Sequence, residues 1–152
     1  MPAVTAPDPF ALSPTDSRVA GIADHARRYA ATAGAEGHDW KGAETLLLTT
    51  IGRRSGLPRR TVVIYGRHQD AYVVVASNLG ADHHPDWYLN LQQRPTALIQ
   101  VRDRPFTVQA RTATGEEHRL LWKLMTGLWP AYDTYQQSTR RPIPTVVLQP
   151  QS

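Results

Sequence analysis

Apolar residues first recur at helical spacing and then shift to short, nearly continuous runs. Val19, Ile22, Ala23, Ala26, Tyr29 and Ala30 share one helical face, which predicts a helix over 18–33 capped by Thr15-Asp16-Ser17. A loop over 34–42 follows. The β-branched and leucine-rich runs then predict strands over 45–51, 61–67 and 71–77, the last two joined by His68-Gln69-Asp70. Pro85 suits the first turn of a helix over 86–93, and Arg94-Pro95 ends it. Strands over 97–101 and 106–112 flank Arg102-Asp103-Arg104 as a hairpin. Leu120, Leu121, Leu124 and Leu128 mark a helix over 115–129, with Thr114 and Glu117 as a capping box. Pro130 interrupts it before a further helical turn over 131–139, and Pro142-Ile143-Pro144 leads into a last strand over 145–148.

About six strands and three or four helices in this order predict an α+β protein. The early strands have short connections, so they pair antiparallel, and the sheet curls into a small barrel with helices outside. The length of 152 residues suits one domain with a sizeable core, here over 16–152. Pro2, Pro7, Pro9 and Pro14 among small residues make 1–15 a flexible or loosely docked tail. No apolar run approaches the roughly 20 residues of a membrane helix. The first ten residues lack a secretory pattern and cysteine is absent, so the expectation is a cytoplasmic protein without disulfides. The first helix could lie on a membrane surface, but its face is mostly alanine, which favours packing on the protein's own core.

Charge then singles out one loop. The net charge is +4, and the only lysines are Lys41 and Lys123. Between Leu46-Leu47-Leu48 and Val62-Val63-Ile64-Tyr65, the stretch Gly52-Arg53-Arg54-Ser55-Gly56-Leu57-Pro58-Arg59-Arg60 gathers four arginines and two glycines. Glycine exposes backbone N–H groups, and arginine offers a planar fork suited to phosphate or carboxylate. A polyanionic small molecule is one reading of this clamp; a solvated hairpin tip is the other. A nucleic-acid-binding barrel would spread its basic residues over a sheet face with exposed aromatics, and clustering in one loop argues against it.

Two further clusters carry candidate chemistry. In 76–90, a strand end at Ser77-Asn78 runs through Gly80 and Ala81 into a helix start, which exposes backbone donors, while Trp87 and Tyr88 could pack on a flat ring or in the core. Asp82-His83-His84 with Asp86 does not make a metal site, because neighbouring loop histidines rarely converge on one ion. The serine of Gly52-Arg53-Arg54-Ser55-Gly56 is not centred as in a nucleophile elbow, and no dinucleotide fingerprint is present. Tyr132 and Tyr135 share a helical face and read equally as walls of an aromatic pocket or as core residues.

These clusters, in this order, resemble the deazaflavin-dependent nitroreductase family of actinobacteria and relatives. The resemblance spans roughly 42–150 and rests on Leu46-Leu47-Leu48-Thr49-Thr50-x-Gly52-Arg53-Arg54-Ser55-Gly56-x-Pro58-Arg59, Tyr72-Val73-Val74-Val75-Ala76-Ser77 and His84-Pro85-Asp86-Trp87-Tyr88-Leu89-Asn90-Leu91. Thr114-Gly115-Glu116-Glu117, Tyr132-x-x-Tyr135-Gln136 and Ile143-Pro144-x-Val146-Val147-Leu148 complete it. It implies a split β-barrel of the FMN-binding type and use of reduced coenzyme F420. This polyanionic cofactor carries a phosphodiester and a glutamate tail. It implies hydride transfer to an activated alkene, quinone or nitroaromatic small molecule. Non-catalytic cofactor storage and FMN-dependent reduction are the alternatives, and a homodimer is compatible with such a barrel. By resemblance, Arg53, Arg54 and Arg59 hold the tail, with Ser55 and Gly56 shaping the loop. Ser77, Asn78, Gly80 and Ala81 line the deazaflavin, supported by Trp87 and Asn90. Tyr132, Tyr135 and Ser77 are the candidate donors to the reduced acceptor. The sequence departs from the family pattern at Val62, where proline is common, and at Asn78-Leu79, where lysine and glycine are common. Arg54 for the frequent lysine keeps the charge.

Overall fold

The computed structural model describes residues 8–151. Along them run β1 (Thr15–Asp16), α1 (Ala20–Ala31), β2 (Asp39–Trp40), β3 (Ala43–Ile51), β4 (Pro58–Ile64), β5 (Gly66–His68) and β6 (Ala71–Val75). Then come α2 (Asp86–Gln93), β7 (Thr96–Val101), β8 (Arg104–Thr112), α3 (Gly115–Leu128), α4 (Ala131–Gln137) and β9 (Thr145–Pro150). The class is α+β. The described residues hold nine strands, not the six expected. Two of the extra ones, β1 and β2, are two residues long and carry no readable period. The third arises because the run over 61–67 breaks at Tyr65 into β4 and β5.

The sheet order is β1-β4-β3-β7-β8-β9-β6-β5, with β2 on β3. The wholly antiparallel expectation fails at one edge, where β1 runs parallel to β4 with Thr15 opposite Arg59 and Asp16 opposite Arg60. The cause is local: Arg60 Nε and Nη2 donate to the two Asp16 oxygens at 2.6 and 3.1 Å. Of the expected tail, residues 1–7 lie outside the described residues, while Pro9–Ala11 form a 3-10 turn and Thr15–Asp16 pair with the sheet. β4 ends at Ile64 and β5 begins at Gly66, although they lie near opposite ends of the strand order. A single linking residue forces those ends together, so the sheet must curl.

Period-two alternation sorts the core into layers. Leu46 and Leu48 of β3, Tyr72 and Val74 of β6 and Val146 and Leu148 of β9 face one interior, which Tyr88 and Leu91 of α2 also enter. Val73 and Val75 of β6 and Val147 of β9 face the other way, against Leu121 and Met125 of α3 and Tyr132 of α4. Leu47 packs against Ala26 and Tyr29 of α1. The apolar face of α1 is therefore used on the protein's own sheet. No helix among the described residues is long and apolar enough to cross a membrane.

Two predicted caps take other forms. Ser17 Oγ accepts from Val19 N–H at 3.2 Å, and α1 starts after Val19 without a side-chain cap. Thr114 makes no cap bond, and Glu117, which would complete the box, turns to the Arg111 guanidinium instead. α3 also sits differently from the leucine count: Leu121 and Met125 are buried, whereas Leu120 and Leu128 are exposed.

Candidate cofactor and acceptor site

The arginine-rich segment is the β3–β4 turn. Gly52 N–H donates to Leu57 O at 2.8 Å and Gly56 N–H to Gly52 O at 2.9 Å, while Ser55 Oγ accepts from Leu57 N–H at 3.2 Å. Gly56 has φ +70°, a left-handed conformation that favours glycine. The four arginines then divide by role. Arg60 is held by Asp16. Arg53 donates its backbone N–H and Nη1 to Asn90 Oδ1 at 3.1 and 3.0 Å, and Nη2 to Asp86 at 3.3 Å. Asn90 is buried, and its amide donates to Thr50 Oγ1 at 3.1 Å. These bonds fasten the turn to α2. Arg54 and Arg59 have no carboxylate partner among the described residues, and the backbone N–H groups of Arg54 and Ser55 point to no protein acceptor there. Two unneutralised guanidinium groups beside unpaired N–H groups suit a phosphate or carboxylate.

The second wall precedes α2. Asn78, Leu79 and Gly80 all have positive φ, at 48°, 56° and 82°. Leu79 is 77% exposed in this left-handed position. Gly80 is required by packing: a Cβ there would stand 2.3 Å from Ser138 Oγ and 2.8 Å from Tyr135 O. The Asn78 amide donates to His83 O at 3.2 Å. Arg141 holds the whole segment from behind. Its Nε donates to Ala81 O at 2.8 Å, Nη1 to Ala76 O at 3.2 Å and Nη2 to Ser77 O at 2.6 Å. Nη1 also donates to His84 Nδ1 at 3.0 Å. Burial lowers the Arg141 pKa only against the opposing field of Asp82, and the group stays cationic. Sequence reading missed Arg141. Its only signal was a position just before Pro142-Ile143-Pro144, which says nothing about distant carbonyls.

α4 packs on this turn. Tyr135 is half-buried and abuts Gly80, so Tyr135 and Ser77 belong to one neighbourhood. Tyr132 stands apart: its ring is buried in the layer under α3, edge-on to Tyr135 with centroids 6.2 Å apart. Burial, and next the Tyr135 hydroxyl, push the Tyr132 pKa above the usual tyrosine range. Trp87 is half-buried against the interior and perpendicular to Tyr88, and Asn90 serves as the Arg53 anchor. α2 thus joins the two walls: it follows the 77–84 loop directly and holds the arginine turn through Asp86 and Asn90.

An α+β protein with a curled sheet, an anion-suited turn and an apolar-walled loop beside it is the class that fold and site define. A family model described as F420H2-dependent quinone reductase matches residues 22–150. The chain is similar to the F420H2-dependent quinone reductase Rv1261c of Mycobacterium tuberculosis, 38% identical over 128 residues that cover 82% of this chain and 86% of the relative. Among solved structures it resembles an F420-H2 dependent reductase with TM-score 0.64 at 35% identity, covering 69% of this chain and 93% of that one. It also resembles a structure described as a domain-swapped dimer with TM-score 0.67 at 31% identity, covering 83% and 98%. The chain belongs to the F420H2-dependent quinone reductase family.

Proposed function

We propose that the chain is an F420H2-dependent reductase of a quinone or a related electron-poor small molecule, built on a split β-barrel. One observation carries the reading: Arg54 and Arg59, without carboxylate partners, occupy a turn that Arg53 fastens to the helix next to the 77–81 loop. The donor set fits F420, because that cofactor is polyanionic at one end and a flat ring at the other. Arg54 and Arg59 would hold the tail, with Ser55 and Gly56 shaping their turn. Arg53 orients that turn through Asn90. Ser77, Asn78, Gly80 and Ala81 would line the ring, with Trp87 behind. When bound in its reduced form, F420 supplies a hydride.

The chain's own task is then orientation, exclusion of water and proton supply. Acceptors of this kind become anionic on reduction, so a nearby hydroxyl must donate a hydrogen bond. Ser77 and Tyr135 are the donors in this reading, since their hydroxyls have no protein partner among the described residues and both adjoin the 78–80 turn. Tyr132, named first among the candidate donors, would act through the edge of the Tyr135 ring. Self-association enters the reading through the solved relative described as a domain-swapped dimer.

Mixing the protein with F420H2 and menadione tests the activity. Multiple turnovers of F420H2 oxidation that depend on both protein and quinone are expected. No turnover with F420H2 while reduced FMN supports the reaction would contradict the cofactor.

A further inference from the structure

A cleft of about 460 Å³ opens between the start of α2, the end of β8, the start of α3 and residues 142–144. Neither the arginine turn nor the 77–81 loop forms part of its wall, so it is separate from the site proposed for F420. His84, His118 and Arg141 reach it from three different segments. Tyr88, Pro142, Ile143 and Pro144 give it apolar surface.

Hydrogen counting shows which donors are left for a ligand. Arg141 has five N–H groups. Nε donates to Ala81 O, Nη1 to Ala76 O and His84 Nδ1, and Nη2 to Ser77 O. The second Nη2 N–H has no acceptor among the described residues. Because Arg141 can only donate, His84 Nδ1 is an acceptor and the neutral ring carries its proton on Nε2. His118 Nδ1 lies 2.8 Å from the hydroxyl of buried Thr145, which has no other partner among the described residues. That hydroxyl proton is satisfied when Nδ1 accepts it, so His118 also presents an Nε2–H. Burial lowers both histidine pKa values, with Arg141 adding to the effect at His84.

The charge balance of the cleft is positive. No carboxylate lines it among the described residues. The acidic groups on the surrounding elements are paired: Glu117 with Arg111, Glu116 with Arg119 and Asp86 with Arg53. Asp82 acts on Arg141 only from an almost fully exposed position, where water screens it. Arg141 itself is bonded to three carbonyls and an imidazole, so no counter-charge touches it among the described residues. α3 begins in the same wall without a side-chain cap, and the N–H groups of Gly115, Glu116 and Glu117 precede its first helical bond, from His118 N–H to Thr114 O. The helix end adds to a donor set that Arg141 and the two histidines already make.

We infer that this cleft binds a small organic acid, an oxyanion head on an apolar body, with the head held by Arg141 and the Nε2–H groups of His84 and His118. A bare inorganic ion would leave most of the volume and the Tyr88 and proline surfaces unused. The inference does not rest on the reductase reading, in which none of these side chains touches F420 or the acceptor.

The whole chain is titrated calorimetrically with benzoate, with phenyl phosphate and with the neutral isostere benzamide. Saturable one-to-one binding of benzoate or phenyl phosphate is expected, at least about tenfold tighter than benzamide, and the tighter of the two anions tells carboxylate from phosphate. His118→Asn can still accept from Thr145, and His84→Asn from Arg141, but neither presents a donor at the Nε2 position. Each should weaken the anion about tenfold, and His118→Gln, with a donor near that position, should recover it. F420 added to the benzoate complex should leave benzoate bound. Benzamide binding as tightly as benzoate, no saturable binding of either anion, or equal anion affinity in wild type and both asparagine variants overturns the assignment. So does displacement of benzoate by F420, which would make the cleft part of the cofactor site. Failure of F420 to bind would contradict the cofactor reading alone.

Discussion

Leu79 shows how a single residue can carry strain in the loop proposed to line the cofactor. It takes φ 56° between Asn78 and Gly80, both also left-handed, and its side chain is 77% exposed. An L-residue pays roughly 1–2 kcal/mol for that conformation, and exposure leaves little packing to offset it. Leu79→Gly is expected to raise stability by about 0.5–1 kcal/mol in chemical denaturation, after the extra unfolded-state entropy of glycine is subtracted. A loss of stability would mean that the leucine makes contacts the exposed geometry does not show. The residues proposed to face a ligand stand out in the sequence as a set, because arginine and glycine chemistry is local. Their division of labour does not. Arg53 and Arg54 are neighbours in sequence, but Arg53 is anchored by Asn90 and Asp86, 37 and 33 residues away.

At the scale of elements, the helices and long strands were readable because their periods are strong. α2 spans Asp86–Gln93, the predicted 86–93, and β7, β8 and α3 lie close to their predicted places. Two-residue strands escaped because pairing with a neighbour creates them, as the Arg60–Asp16 ion pair does for β1. The 77–84 loop depends on Arg141, which delivers charge-assisted bonds to two of its carbonyls, Ser77 O and Ala81 O, to Ala76 O just before it and to His84. Arg141→Met should lower stability by about 1–3 kcal/mol and weaken F420 binding together. Arg141→Lys should not restore it, since a point charge cannot replace a planar fork. Unchanged cofactor affinity in Arg141→Met would remove that arginine from the positioning of the loop.

At the scale of the molecule, two couplings set the response to acid. His84 and His118 have pKa values lowered chiefly by burial, so the unfolded chain takes up protons at these sites first. Stability is therefore full above about pH 6.5 and declines as the pH falls below that value. Glu44 adds a second decline at lower pH, because hydrogen bonding to His38 holds its carboxyl below the usual range. Thermal unfolding should show a falling midpoint from pH 7 to pH 5, with a shallower slope in His118→Gln. A midpoint flat over that range would contradict the burial of these rings.

The arginine turn is bonded to α2 through Asp86 and Asn90, and the 77–84 loop leads into the same helix; the proposed function stands on that pairing. Its most direct test is equilibrium titration of the whole chain with F420 and, separately, with FMN. Wild type, Arg54→Ala, Arg59→Ala and, as a surface control on the β7–β8 hairpin, Arg104→Ala are compared. Saturable F420 binding at micromolar concentration, in preference to FMN, is expected. F420 affinity should fall about tenfold in each of Arg54→Ala and Arg59→Ala and stay unchanged in Arg104→Ala. No F420 binding, or equal affinity in all four proteins, would contradict the proposed function.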